Sequence, residues 1–195
     1  MHRLTMAGFI TPTLALSLAV ALMASNAESC RRCSKARAFV EASCEATRYP
    51  RLCRESLSRY IYSSNQSRQQ LAQIALTVSL ARARYARAYV TNLASELKAA
   101  KGMEYEAVRD CIDQISDSVG QLSQSLRELC WITGAGGEDK FTWRRANVET
   151  WISAALTDQT TCLDGLRGAA RTVGVRADVK GVVVNLVEAS SNALA

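Results

Sequence analysis

The chain has 195 residues, 24 Lys+Arg against 18 Asp+Glu, a formal charge of +6, seven cysteines and a single histidine. That histidine is His2, so a His-dependent triad lacks its base; the "CRRC" pair at Cys30 and Cys33 stands alone, which argues against a zinc site, and no Gly-Xaa-Ser-Xaa-Gly elbow or phosphate-cradling glycine loop is present. A basic balance points to acidic polymers or acidic protein surfaces as neighbours, and nothing in the chain points to nucleic acid.

Residues 1–27 open with His2 and Arg3, run almost uncharged from Leu4 through Met23, and end on small residues at Ser25 and Ala27. This is the pattern of a secretory signal, and it predicts cleavage after Ala27 and no membrane segment in what remains. Residues 28–195 then carry 23 cationic side chains against 18 acidic ones, a charge of +5, and suit one domain with its own core. Secretion makes disulfides the default state of the cysteines. An odd count leaves at least one thiol free or joined to another chain.

The segment 28–64 reads as two short helices broken at Tyr49-Pro50, inside "CEATRYPRLC". Proline disfavours helix in the residue before it and is welcome at a first helical position, so Pro50 ends one helix and begins the next. The turn predicts a Cys44–Cys53 bridge, whose ten-residue loop is worth roughly 2.7 kcal/mol on the chain-entropy model. Asn65-Gln66-Ser67 follows as a glycosylation acceptor in a polar loop.

From residue 65 onward four helices are expected. Between Gln66 and Lys101 there is neither glycine nor proline, and Leu71, Ile74, Val78, Ala81, Tyr85 and Ala88 recur at helical steps, with Gly102 as the stop. In "ARARYARAY", Arg82 and Arg84 fall about 200° apart and read as solvated, while Tyr85 and Tyr89 pair at i,i+4. The second helix is the cleanest: Val108, Cys111, Ile115, Val119, Leu122, Leu126 and Leu129 alternate steps of three and four. After the loop "TGAGGEDK" a third helix is expected from about Trp143 to Gly168, with Val148, Trp151, Ala155, Cys162 and Leu166 inward. The fourth carries Val175, Val179, Val182, Leu186 and Ala189. The whole is an all-α fold, an antiparallel four-helix bundle over residues 65–195 with an N-terminal helical hairpin. Cys111 and Cys162 both lie on inward stripes, which predicts a bridge worth roughly 4 kcal/mol, the alternative being two buried thiols. Cys130, beside Leu129, reads as a buried thiol; Cys30 and Cys33 can pair with each other or one with Cys130.

"CEATRYPRLC" and "NVETWISAALTDQTTCLDGL", Asn147 to Leu166, together resemble the plant invertase and pectin methylesterase inhibitor family, most of all its pectin methylesterase inhibitor branch. The resemblance spans the chain after the signal and implies the same bundle, hairpin and two bridges, no catalysis, no metal or other cofactor, and a place in the plant cell wall. It also implies a one-to-one complex in which the bundle covers the substrate cleft of pectin methylesterase. A preorganised helical face can occupy a polar cleft at modest ordering cost. The candidates here are Asp110, Asp113, Gln114 and Asp117 on the second helix, and Thr157, Asp158, Thr160 and Thr161 on the third. The plainer alternative for each is a solvated helix face. A second target is acid invertase, whose inhibitors in this family commonly carry Pro-Lys-Phe before the third helix; here Lys140 and Phe141 are present and Asp139 stands in place of the proline. A basic protein that binds anionic pectin without inhibiting anything is the reading from a different class.

Overall fold

The computed structural model describes residues 33–60, 67–97, 102–132, 136–169 and 173–195. The signal segment 1–27, Cys30 and Asn65 lie outside these residues. The described residues fold as helices, with no strand among them. Two short helices come first: α1 over 33–45 and α2, Pro50–Leu57, the latter continued by a 3-10 turn, Ser58–Tyr60. Four long helices follow: α3, Arg68–Leu97; α4, Met103–Ile132; α5, Glu138–Ala169; and α6, Val173–Leu194.

Packing places the four long helices at the corners of a square. Helix α3 lies against α4 and α6, and α5 against the same two, so α3 and α5 face each other across the diagonal. Contacts along α4 and α5 run in opposite senses: Cys111 meets Cys162, Ser118 meets Gln159, and Ser125 meets Val148. The two helices are therefore antiparallel. Their stripes fill the interior with Val108, Ile115 and Leu122 from α4, Ile152, Ala155 and Leu166 from α5, and Val179, Val183 and Leu186 from α6. Alanines 83, 86 and 155, all fully buried, let the helix backbones approach closely.

A polar layer crosses this apolar interior. Gln159 is fully buried and donates through Nε2 to Ser118 Oγ on α4 at 2.6 Å and to Ser190 Oγ on α6 at 3.1 Å. Gln159 Oε1 is buried without a partner among the described residues, so the layer is satisfied on the donor side; a slip of the helices would strand Nε2 and the two hydroxyls as well, which favours this register.

The hairpin has its own small core of Val40, Cys44, Cys53 and Leu57 against Leu71 of α3. Pro50 sits at the first position of α2, as the Tyr-Pro pattern predicts, and Cys44 and Cys53 are bridged with their Cα atoms 5.5 Å apart. Tyr49 O accepts the first hydrogen bond of α2, from Cys53 N at 3.0 Å, while the Tyr49 N–H left by the break is taken up by α6. Asn192 Oδ1 accepts from Tyr49 N at 2.9 Å, and Asn192 Nδ2 donates to Tyr49 O at 3.0 Å. Arg82 adds a second tie, donating to Ser56 Oγ at 2.8 Å and to Asn185 O at 3.3 Å. Burial lowers its pKa, opposed by the charges of Glu188 and Glu55. Arg82 is thus a bracket between hairpin and bundle, not a solvated side chain. The hairpin rests on the α3–α6 side of the square.

Several expectations shift by a fraction of a turn. On α3 the buried line is Leu71, Leu76, Leu80, Ala83, Ala86, Val90 and Ala94; Ala81 and Ala88 are exposed, and Tyr85 is 63% exposed, stacked on Tyr89 at 6.2 Å between ring centroids. This helix is apolar toward two neighbours, the bundle and the hairpin, and the second claims Ile74 and Ala75. On α5 Ile152 is buried and Trp151 is 37% exposed; on α6 Val183 is buried and Val182 only partly. Cys130, rotated about 100° from Leu129, is exposed, with Gln73 Nε2 3.9 Å from its Sγ. Cys33 is an exposed free thiol.

Candidate functional site

Helices α4 and α5 are the most extensively packed pair and are locked by the Cys111–Cys162 bridge, whose Cα atoms lie 4.4 Å apart. Above the bridge the seam opens into a groove of about 710 Å³, lined by Asp110, Asp113 and Gln114 of α4 and Thr161 and Gly165 of α5. Glu106 and Met103 extend it toward the start of α4. One turn of spacing between Asp110, Asp113 or Gln114, and Asp117 sets these side chains on one flank of the helix. Gly165, which has open space where a Cβ would sit, keeps the α5 wall low. Asp117 lines a second groove of about 520 Å³ farther along, with Ser116, Gly120, Gln121, Gln124 and Trp151.

The residues of α5 divide differently from the expectation. Thr161 lines the first groove, whereas Thr157 and Thr160 are exposed but line neither. Asp158 is half-buried, and its Oδ2 has no hydrogen-bond partner among the described residues. Gln121 Oε1 is likewise buried and unpartnered. Periodicity did not single out Glu106 or Gln121 and turned Trp151 inward, where the structure has it lining a groove. The first two lie on the same flank of α4 as the candidate acids, so helical phase alone could have found them.

The threonine hydroxyl protons are already committed. Thr157 Oγ1 donates to Ser153 O at 3.1 Å, Thr160 Oγ1 to Leu156 O at 2.9 Å and Thr161 Oγ1 to Thr157 O at 2.9 Å. Each therefore offers solvent only oxygen lone pairs, like the carboxylates beside it. Apart from the amide groups of Gln114, Gln121 and Gln124, which can also donate, the flank is built of acceptors and favours a partner that brings donors.

At the other end of the seam Arg144 is fixed from three sides. It donates to Glu128 Oε2 at 3.0 Å, a carboxylate whose side chain is 8% exposed, and its guanidinium lies 5.2 Å from the ring centroid of Trp131 and 5.9 Å from that of Trp143. The loop expected before α5 is shorter than anticipated. Gly137, at φ 95°, turns the chain, and α5 begins at Glu138, with Glu138 and Asp139 favourably placed at the positive end of the helix dipole. Lys140 and Phe141 consequently sit in the first turn of a helix, Phe141 N donating to Gly137 O at 3.3 Å.

None of the described helices is long and apolar enough to cross a membrane, and no group of three or more His, Cys, Asp or Glu among the described residues could hold a metal ion.

Comparison with known proteins gives a consistent assignment. A family model described as plant invertase/pectin methylesterase inhibitor matches residues 38–195. Pectinesterase inhibitor 9 of Arabidopsis thaliana is 39% identical over 183 residues, covering 93% of this chain and 89% of its own length. The 21 kDa protein of Daucus carota is 41% identical over 157 residues, 80% of each chain. Among solved structures, mutant form A of a pectin methylesterase inhibitor from Arabidopsis superposes with a TM-score of 0.60 at 23% identity, over 77% of this chain and 89% of that one. At that identity the superposition supports the fold.

Proposed function

Since the chain belongs to the plant invertase/pectin methylesterase inhibitor family, we propose that it is a secreted inhibitor of pectin methylesterase that covers the enzyme's substrate cleft in a one-to-one complex. The observation that carries this reading is the α4–α5 seam: a bridged, rigid helix pair with Asp110, Asp113, Gln114 and Thr161 around one groove and Asp117 continuing the same flank. Rigidity matters because little ordering entropy is lost on binding. A row of acceptors matters because a cleft that receives sugar acids presents hydrogen-bond donors to them. The signal pattern over residues 1–27 and the disulfides support an extracellular, cell-wall setting.

Titration of the oxidised protein, recovered from the medium of secreting cells, against a pectin methylesterase and an acid invertase tests the proposal. Loss of esterase activity with a one-to-one end point is the expected result. Loss of invertase activity alone would transfer the function to the family's other branch.

A further inference from the structure

The charge is distributed unevenly over the molecule. Helices α4 and α5 hold eleven acidic side chains against six cationic ones, whereas residues 33–60 of the hairpin hold six cationic against three acidic. Two of those three acids are used locally, Glu45 by Arg54 and Glu55 by Arg51. Lys35, Arg37, Arg48 and Arg59 are exposed and make no ion pair among the described residues, with Glu41 the one acid left to balance them. Helix α3, on which the hairpin rests, has a single acid, Glu96; its exposed Arg84 and Arg87 lie about 200° and 140° around the helix from Arg82 and so outside the hairpin face. The hairpin packs on α3 and α6, the side of the square opposite the α4–α5 seam. Basic and acidic surfaces therefore point in opposite directions.

We propose that the hairpin face is a binding site for an anionic polyuronate, separate from the seam and open while the seam is occupied. Charge complementarity selects a polyanion, because unpaired guanidinium groups on a preformed scaffold recognise carboxylates in their fork geometry. A lipid surface fits less well. The apolar residues Val40 and Leu57 face the hairpin's own core, and Tyr60, 41% exposed, is the one large apolar side chain the described hairpin exposes, too little for insertion. Galacturonan freed of methyl esters carries a carboxylate on each sugar and is the product of the enzyme named in the preceding section; the choice of this polymer rests on that reading, while the site rests on the charge distribution. The protein would then hold the deesterified wall with one face and the enzyme with the other.

Co-sedimentation with polygalacturonate, with no enzyme present, tests the site. The full protein is expected to be retained at low ionic strength and released as salt rises past about 0.15 M, where the Debye length falls to about 8 Å. Lys35→Glu/Arg37→Glu/Arg59→Glu is expected to weaken retention roughly tenfold, with its circular dichroism and both bridges unchanged. Asp110→Ala/Asp113→Ala is expected to keep it. Unchanged retention of the triple variant, equal retention by fully methyl-esterified pectin, or binding to anionic vesicles in place of polygalacturonate would each overturn the proposal. Should the triple variant not fold, acylation of the wild-type protein gives the same answer: polygalacturonate must shield Lys35, and failure to shield it refutes the site. Retention by a protein that inhibits no esterase would leave this site standing and remove the function proposed for the seam.

Discussion

Asn192 shows how a single amide can decide the position of a whole substructure. The Tyr49-Pro50 break, needed to reverse the chain between the bridged cysteines, leaves the Tyr49 N–H without a helical partner; Asn192 Oδ1 accepts from it, and Asn192 Nδ2 adds a second donor to Tyr49 O, which already accepts from Cys53 N at 3.0 Å. Buried backbone groups must be paired somewhere, so this residue does what secondary structure does elsewhere. Asn192→Ala is expected to lower stability by about 1–2 kcal/mol, read from the midpoint of urea unfolding. It should also raise amide exchange in residues 36–57 more than in α4 and α5. Uniform protection loss across the bundle would show that the hairpin and the four long helices open as one unit, contrary to a clamp acting locally. Arg82 makes the neighbouring tie, and its partial burial between Ser56 and Asn185 could not be read from "ARARYARAY", where arginine two residues on from it is plainly exposed.

At the scale of the element, the bridge between α4 and α5 sets the seam. Removing it by Cys111→Ala/Cys162→Ala is expected to lower stability by about 4 kcal/mol on the loop-entropy model, measured by denaturant unfolding under non-reducing conditions. A loss below about 1 kcal/mol would mean that helix packing alone holds the pair. Helix α4 was legible in the sequence because it has one apolar stripe facing one core, so its inward residues and its outward acids both followed from a single phase. Helix α3 was not, because it turns one apolar side to the bundle and another to the hairpin, and the sum of two stripes has no clear direction. Along α5 the adjacent Trp151 and Ile152 both fit an apolar pattern, and the smaller side chain went inside while the indole came to line a groove. The start of the same helix was misplaced because Gly137 takes a conformation that no spacing rule reveals, drawing Lys140 and Phe141 out of a loop and into the first turn. The candidate site followed the same pattern: Asp110, Asp113 and Thr161 meet at one groove and Asp117 lines the next, whereas Thr157 and Thr160, chosen by proximity in a motif, line neither.

For the molecule as a whole, four antiparallel helices make a stiff prism with two unlike sides. The α4–α5 side presents carboxylates and threonine oxygens whose protons are already engaged, and the α3–α6 side carries the basic hairpin. A net positive charge thus coexists with an acidic face along the seam, and attraction of a partner with a basic surface would come from this local field instead of the total charge. On the proposed reading, replacing acceptors on the seam should weaken inhibition while leaving the fold intact, since exposed positions tolerate substitution. The most direct test is an inhibition titration of pectin methylesterase with Asp113→Lys/Thr161→Arg, which places two cations in the groove over the bridge. The account predicts a half-inhibitory concentration at least about tenfold higher than that of the unsubstituted protein, equivalent to about 1.4 kcal/mol, at an unchanged melting temperature. Full inhibition by the variant at the original concentration would contradict it and move the docking surface to another face of the bundle.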